Sequence, residues 1–180
     1  LKDDNVRLFI AILLSKSIIG KIHERELRLS QLCNINFVPP QNLHVTLNFI
    51  GETNRVQEII NIIDDICAPK FEYKIKGLGH FRRNDGDILW TGIEDKSAIE
   101  KIQQQLTQGL LSNGFKIESR SFKPHITLAR RVNISDNNYY TAKQIFCTAL
   151  TAYAKRISLM KSERKNNKMV YTEIYGKDLL

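Results

Sequence analysis

The sequence predicts an α+β fold of two similar lobes, each an antiparallel sheet with two helices, related by a pseudo-two-fold with a cleft between them. Three observations lead there. The elements read strand, helix, strand, helix, strand, and then strand, helix, strand, helix, strand, strand, so one order is met twice. The tetrapeptide His44-Val45-Thr46-Leu47 returns as His125-Ile126-Thr127-Leu128, 81 residues on and nearly half the chain away. Each copy falls on a strand between two helices, one copy per lobe. No Gly- or Ser-rich linker separates the halves, so residues 1–180 are expected to behave as a single domain of two lobes.

The elements follow from local pattern. Residues 6–14 (VRLFIAILL) are rich in branched and aromatic side chains and read as a buried strand. Ser15 or Ser17 can cap the next helix, in which Ile18, Ile22, Leu27, Leu29 and Leu32 keep a loosely helical spacing to about Cys33. Residues 36–42 carry Pro39-Pro40 and must turn, because proline cannot donate to a ladder. Residues 43–50 form the first motif strand, closed by Gly51. Thr53 or Asn54 caps a second helix whose Val56, Ile59, Ile60, Ile63 and Ile66 trace one face as far as Pro69.

Residues 71–76 alternate apolar with charged and read as a half-exposed strand. The segment 77–87 reads as turns and leads to a strand over 88–93. Residues 96–112 form a long helix with Ile99, Ile102, Leu106 and Leu110 on one face, ended by Asn113-Gly114. Residues 115–118 are extended, and Pro124 introduces the second motif strand through Ala129. Residues 137–149 make a fourth helix after Ser135-Asp136. Closing strands over 154–160 and 169–175 flank a basic hairpin loop, 163–168, with Asn166-Asn167 at its tip.

Composition narrows the function classes. With 180 residues, 42% hydrophobic and 26% charged, the chain can bury one sizeable core. The apolar run at residues 8–14 is far short of the roughly 20 a membrane span needs, and it lacks a secretory cleavage pattern. No membrane association and no targeting segment are expected, and with Leu1 in place of Met a few further N-terminal residues are expected. Cys33, Cys67 and Cys147 are far apart and odd in number, as in reduced thiols of a cytoplasmic protein. There is no C-x-x-C pair and no histidine at ligand spacing from a cysteine or carboxylate, so neither a metal nor a cofactor is expected. The net charge of +8 favours a polyanionic partner such as nucleic acid.

The paired tetrapeptides carry the chemistry. Strand side chains alternate, so His and Thr of each copy share one face while Val45, Leu47, Ile126 and Leu128 point into the core. Each lobe then offers one imidazole and one hydroxyl to a shared cleft. Imidazoles, with an unperturbed pKa near ~6.5, can act as general acid and general base near neutrality. The hydroxyls can donate to an anion such as a phosphodiester. One such strand is ordinary, its histidine satisfied by a carbonyl or water. Two copies, each behind a proline turn (Pro39-Pro40 and Pro124), point to an acid–base phosphoesterase that needs no metal.

Longer blocks extend the motifs: residues 7–11 (RLFIA), 38–52 (VPPQNLHVTLNFIGE), 90–92 (WTG) and 122–130 (FKPHITLAR). On these the chain resembles the 2H phosphoesterase superfamily, and within it the bacterial and archaeal RNA 2′,3′-cyclic phosphodiesterases, the 2′-5′ RNA ligase family. The resemblance runs over essentially the whole chain. One departure is His80, in Gly79-His80-Phe81, where family members have a Gly-Phe-Pro type of turn; it bears on the shape of that loop.

The resemblance implies hydrolysis of RNA ends carrying a 2′,3′-cyclic phosphate to a 2′-phosphate, with RNA as the partner, no cofactor and a monomeric enzyme. His44 is then the proton donor and His125 the proton acceptor, an assignment the residues themselves leave open. Thr46, Thr127 and Arg130 are the implied substrate-binding groups. Arg130 lies five residues after His125, an odd offset that puts it on the opposite face of a regular strand, so it would have to act from the strand end. By the same parity Phe49, five after His44, is expected in the core. Arg82, Arg83, Arg131 and Lys123 are candidates for RNA backbone contact, His80 is the extra histidine nearest the site, and His23 is expected to be exposed. Reverse 2′-5′ ligation, another 2′-5′ or cyclic (di)nucleotide substrate, and a non-catalytic RNA-binding module are the alternatives. The last is disfavoured because both histidines and both threonines are present.

Overall fold

Whole elements repeat, not the two tetrapeptides alone. In the computed structural model, which describes residues 5–118 and 121–180, β1 (Val6–Leu13), α1 (Lys16–Ser30) and β2 (His44–Thr53) recur as β4 (Asp87–Glu94), α3 (Ser97–Ser112) and β5 (His125–Val132), each starting 81 positions later. The remaining described strands and α-helices are α2 (Val56–Asp64), β3 (Phe71–Phe81), α4 (Asp136–Ile145), β6 (Leu150–Ala154), β7 (Arg156–Lys165) and β8 (Lys168–Asp178), with one 3-10 turn at Pro40–Asn42 before β2. Leu1 lies outside the described residues.

The eight strands among the described residues join one antiparallel sheet in the order β6-β3-β4-β5-β2-β1-β7-β8. Its two halves, one per lobe, meet where the motif strands touch, through the single ladder pair Val45–Ile126. Beyond that pair the loop before β2 takes over as neighbour of β5: Phe37 bridges Ala129, and the Val38 N–H donates to the Leu128 carbonyl at 2.7 Å. Val45, Leu47, Ile126 and Leu128 are buried in the core, as the alternation predicts.

The lobes interleave along the chain. Helix α1 follows β1 but packs on α4 and β6 of the other half-sheet, and α3 follows β4 but packs on α2 and β2. Each helix thus covers the apolar face of the lobe opposite its own strand, burying Ile22 and Leu29 in one case and Ile102, Leu106 and Leu110 in the other. This exchange ties the two halves together far beyond their one shared ladder pair.

Local differences from the sequence reading have physical causes. The segment expected as turns from Gly77 continues β3 to Phe81; Gly77 takes φ +80° at a register shift, and the ladder with β4 resumes from Leu78. The helix expected to reach Ala149 stops at Ile145, and Leu150–Ala154 forms β6 against β3. Alternation decides there: Ala152 and Ala154 are buried while Thr151 and Tyr153 face out, so pairing overrides alanine's helical preference. Residues 115–118 join no ladder. Helix α2 starts from Arg55, whose N–H bonds the Thr53 hydroxyl at 3.1 Å. Ser15 and Ser135 do cap their helices, and Asn166-Asn167, both at positive φ, form the tip between β7 and β8. No helix among the described residues is long and apolar enough to cross a membrane.

Candidate active site

The central register decides which side chains meet. Because Val45 faces Ile126 in an antiparallel pair, His44 stands across from Thr127, and Thr46 across from His125. Each imidazole therefore neighbours the other lobe's hydroxyl as well as its own. All four line one cleft of about 1020 Å³, roomy for a nucleotide.

Hydrogen bonding fixes the tautomers. His44 Nδ1 lies 2.7 Å from the Asn42 carbonyl oxygen, and His125 Nδ1 lies 2.6 Å from that of Lys123. A carbonyl only accepts, so in each neutral ring Nδ1 carries the hydrogen and Nε2 presents its lone pair. The Thr46 hydroxyl accordingly donates to His44 Nε2, at 2.9 Å. Burial holds both imidazoles below their ordinary range. The carbonyls push back, while the Arg130 guanidinium lowers both further, joined by His125 at His44 and by Lys123 at His125.

Aromatic rings repeat the symmetry. His44 has Phe9 at 4.9 Å and Tyr171 edge-on at 5.4 Å; His125 has Trp90 at 5.8 Å and Phe81 edge-on at 5.1 Å. Phe9 and Trp90 are mates at the 81-residue spacing. Gly79 lies under the Trp90 ring, where a Cβ would sit 2.1 Å from it, so only glycine leaves the indole room beside His125. Tyr171 and Asn42 escaped the sequence reading because β8 is remote in sequence and Asn42 acts through its backbone. The Phe9–Trp90 spacing was the one available signal.

Arg130 and Phe49 reverse their expected faces. The ladder shifts register between Leu89 and Trp90, leaving Leu128 without a partner on β4; it shifts likewise between Ile10 and Ala11, leaving Leu47 unmatched on β1. Each is a β-bulge, which adds a residue and turns the alternation over. Arg130 and Phe49, again 81 apart, both swing onto the cleft face, and Phe49 is 48% exposed there. Arg130 thus reaches the cleft from within its strand.

The other candidates divide. Arg82, Arg83, Lys123 and His80 line the cleft. His80 is also paired with Asp87 and packs 4.8 Å from the Tyr139 ring. Arg131 pairs with Asp85 at 3.4 Å instead, and half-exposed His23 pairs with Glu26 at 3.3 Å. Cys33, Cys67 and Cys147 are unpaired thiols. The described residues hold no cluster of three or more His, Cys, Asp or Glu suited to a metal ion.

The chain resembles known proteins along most of its length. A family model described as the 2′-5′ RNA ligase superfamily matches residues 21–166. A Methanocaldococcus jannaschii protein named RNA 2′,3′-cyclic phosphodiesterase is 30% identical over 179 residues, covering 94% of this chain and 98% of its own length. A Thermotoga maritima protein of the same name is 31% identical over 132 residues, covering 69% of this chain and 70% of its own. Among solved structures, E. coli LigT in its apo form superposes with a TM-score of 0.81 over 98% of both chains at 22% identity. A Thermus thermophilus protein superposes with a TM-score of 0.79 over 96% of this chain and 97% of its own, also at 22% identity.

Proposed function

The chain belongs to the 2′-5′ RNA ligase superfamily, and from that membership we propose that it is an RNA 2′,3′-cyclic phosphodiesterase working by two-histidine acid–base catalysis. The observation that carries this reading is the pair of imidazoles, each with Nδ1 tied to a carbonyl and Nε2 turned to one cleft. Water attacks phosphorus in line with the bond to the ribose 3′ oxygen. His125 Nε2 takes the water proton, and protonated His44 gives its own to the departing oxygen. One P–O bond forms, one breaks, and a 2′-phosphate and 3′-hydroxyl remain. Thr46, Thr127 and Arg130 hold the non-bridging oxygens, where charge grows. When His44 carries the proton its Nε2 becomes a donor, which frees the Thr46 hydroxyl to turn to the phosphate.

A short RNA ending in a 2′,3′-cyclic phosphate is expected to yield the 2′-phosphate. A 3′-phosphate product would reverse the leaving group, and tight binding without turnover would leave an RNA-binding module. Turnover is expected to persist in excess EDTA, since acid, base and anion donors are all side chains; loss on chelation with recovery on Zn²⁺ or Mn²⁺ would sink the metal-free mechanism. One chain supplies every group named, which supports action as a monomer and as one two-lobed unit. The three unpaired thiols fit a cytoplasmic setting.

The pH dependence follows from the electrostatics. Catalysis needs one imidazole protonated and the other neutral, so the profile is a bell. In the free enzyme both rings are lowered, so both limbs of kcat/KM are expected below about 6.5, the ordinary imidazole value. The bound phosphodiester's negative charge favours protonated imidazole, so the kcat profile is expected at higher pH than that of kcat/KM. A kcat/KM optimum above neutrality would contradict this.

A further inference from the structure

The internal symmetry is broken at one position where it matters electrically. Asn42 and Lys123 are mates at the 81-residue spacing, and their carbonyls do the same task, accepting Nδ1–H of His44 and His125 at 2.7 and 2.6 Å. Their side chains differ. Asn42 Nδ2 donates to the Met169 carbonyl at 2.8 Å, tying β8 beside His44. The Lys123 ammonium lies 4.4 Å from the Trp90 ring centre and 5.8 Å from that of Phe81, the two rings that flank His125.

Burial lowers both rings, and the charged groups around them differ at this position. Around His125 stand Lys123 from its loop, Arg130 from its own strand and His44 from β2, with uncharged Phe81 and Trp90 from β3 and β4. Around His44 stand Arg130 and His125, with Phe9, Asn42 and Tyr171 bringing no cation. Arg7, Arg82, Arg83 and Glu118 also line the cleft. Arg130 lowers both histidines, whereas Lys123 lowers His125 and is not among the groups acting on His44. A fixed ammonium beside one imidazole disfavours a second positive charge there.

We propose that Lys123 divides the labour between the two imidazoles: its ammonium, held over Trp90 and Phe81, keeps His125 the base and leaves His44 the acid. Lys123 is a positioning residue in this sense, since it acts through His125. The inference rests on the two-histidine reading above and explains from structure which ring takes which part.

Imidazole titration by NMR in the substrate-free protein tests it, with resonances assigned by His44→Gln and His125→Gln. In the wild type His125 is expected to titrate at lower pH than His44. Lys123→Gln should raise the His125 midpoint by about 0.5–1 pH unit while His44 stays in place, and Lys123→Arg should restore the wild-type order. The acidic limb of kcat/KM should move up with His125 and the alkaline limb should not. A His125 midpoint at or above that of His44 in the wild type, no movement in Lys123→Gln, or equal movement of both rings would overturn the proposal. The substrate-free titration keeps the two readings separable. Expected midpoints without turnover on a cyclic phosphate would defeat the function and leave this inference standing; normal turnover with an unmoved His125 would defeat this inference alone.

Discussion

His44→Ala and His125→Ala are each expected to lower kcat by about 10²–10⁴-fold with the fold intact, the usual worth of one positioned acid or base. Neither imidazole belongs to the core: both are half-buried on the cleft wall, while the neighbours Val45 and Ile126 hold the lobes together. Circular dichroism and thermal midpoints should therefore stay close to wild type. On the proposed mechanism the two rings act in one step, so the double variant should lose less than the product of the single losses. The pH profiles of the residual activities separate the roles. Loss of His125 should flatten the acidic limb, and loss of His44 the alkaline limb. A single variant retaining more than a third of the wild-type rate would remove that residue from the mechanism.

The site was legible in the sequence to the extent that strand alternation stayed regular. His44 with Thr46, and His125 with Thr127, sit one period of two apart, and nothing intervenes; they fell on one face as expected. Three residues farther along, parity gave Phe49 and Arg130 the wrong face, because a bulge at Leu47 and another at Leu128 each insert one unpaired residue. A bulge has no composition signature in Leu-Asn-Phe or Leu-Ala-Arg. It is imposed by the neighbouring strands, so single-strand patterns cannot reveal it. The duplication could have: two identical spacings from His44 and His125 to cleft residues are the imprint of one inherited irregularity.

The fold was legible at the same level. Helices with a clear apolar stripe, such as Ile99, Ile102, Leu106 and Leu110, appear where the spacing puts them. Which lobe each helix covers was not legible, since α1 and α3 cross to the opposite half-sheet, and local patterning fixes an apolar face without naming its partner. β6 was hidden for a related reason. Its two buried alanines pack at the sheet edge, where pairing with β3 outweighs a preference for helix.

Arg130→Ala is expected to lower kcat/KM by about 10²–10³-fold, the cost of removing one charged donor from a site where negative charge develops. The bulge is what makes this testable, because it aims Arg130 into the cleft from mid-strand, where a regular strand would have directed it to the core. A second effect should accompany the first. Arg130 lowers both imidazoles, so its removal makes each easier to protonate and both limbs of kcat/KM should move to higher pH together. Arg130→Lys separates the two. It keeps the charge, so the limbs should stay near their wild-type positions, yet it loses the planar fork with which a guanidinium can hold two phosphate oxygens at once, so part of the rate loss should remain. If Arg130→Ala stays within about threefold of wild type at its own pH optimum, the guanidinium holds no phosphate oxygen. If the rate falls and neither limb moves, the arginine touches substrate but sets no part of the field in which the two histidines titrate.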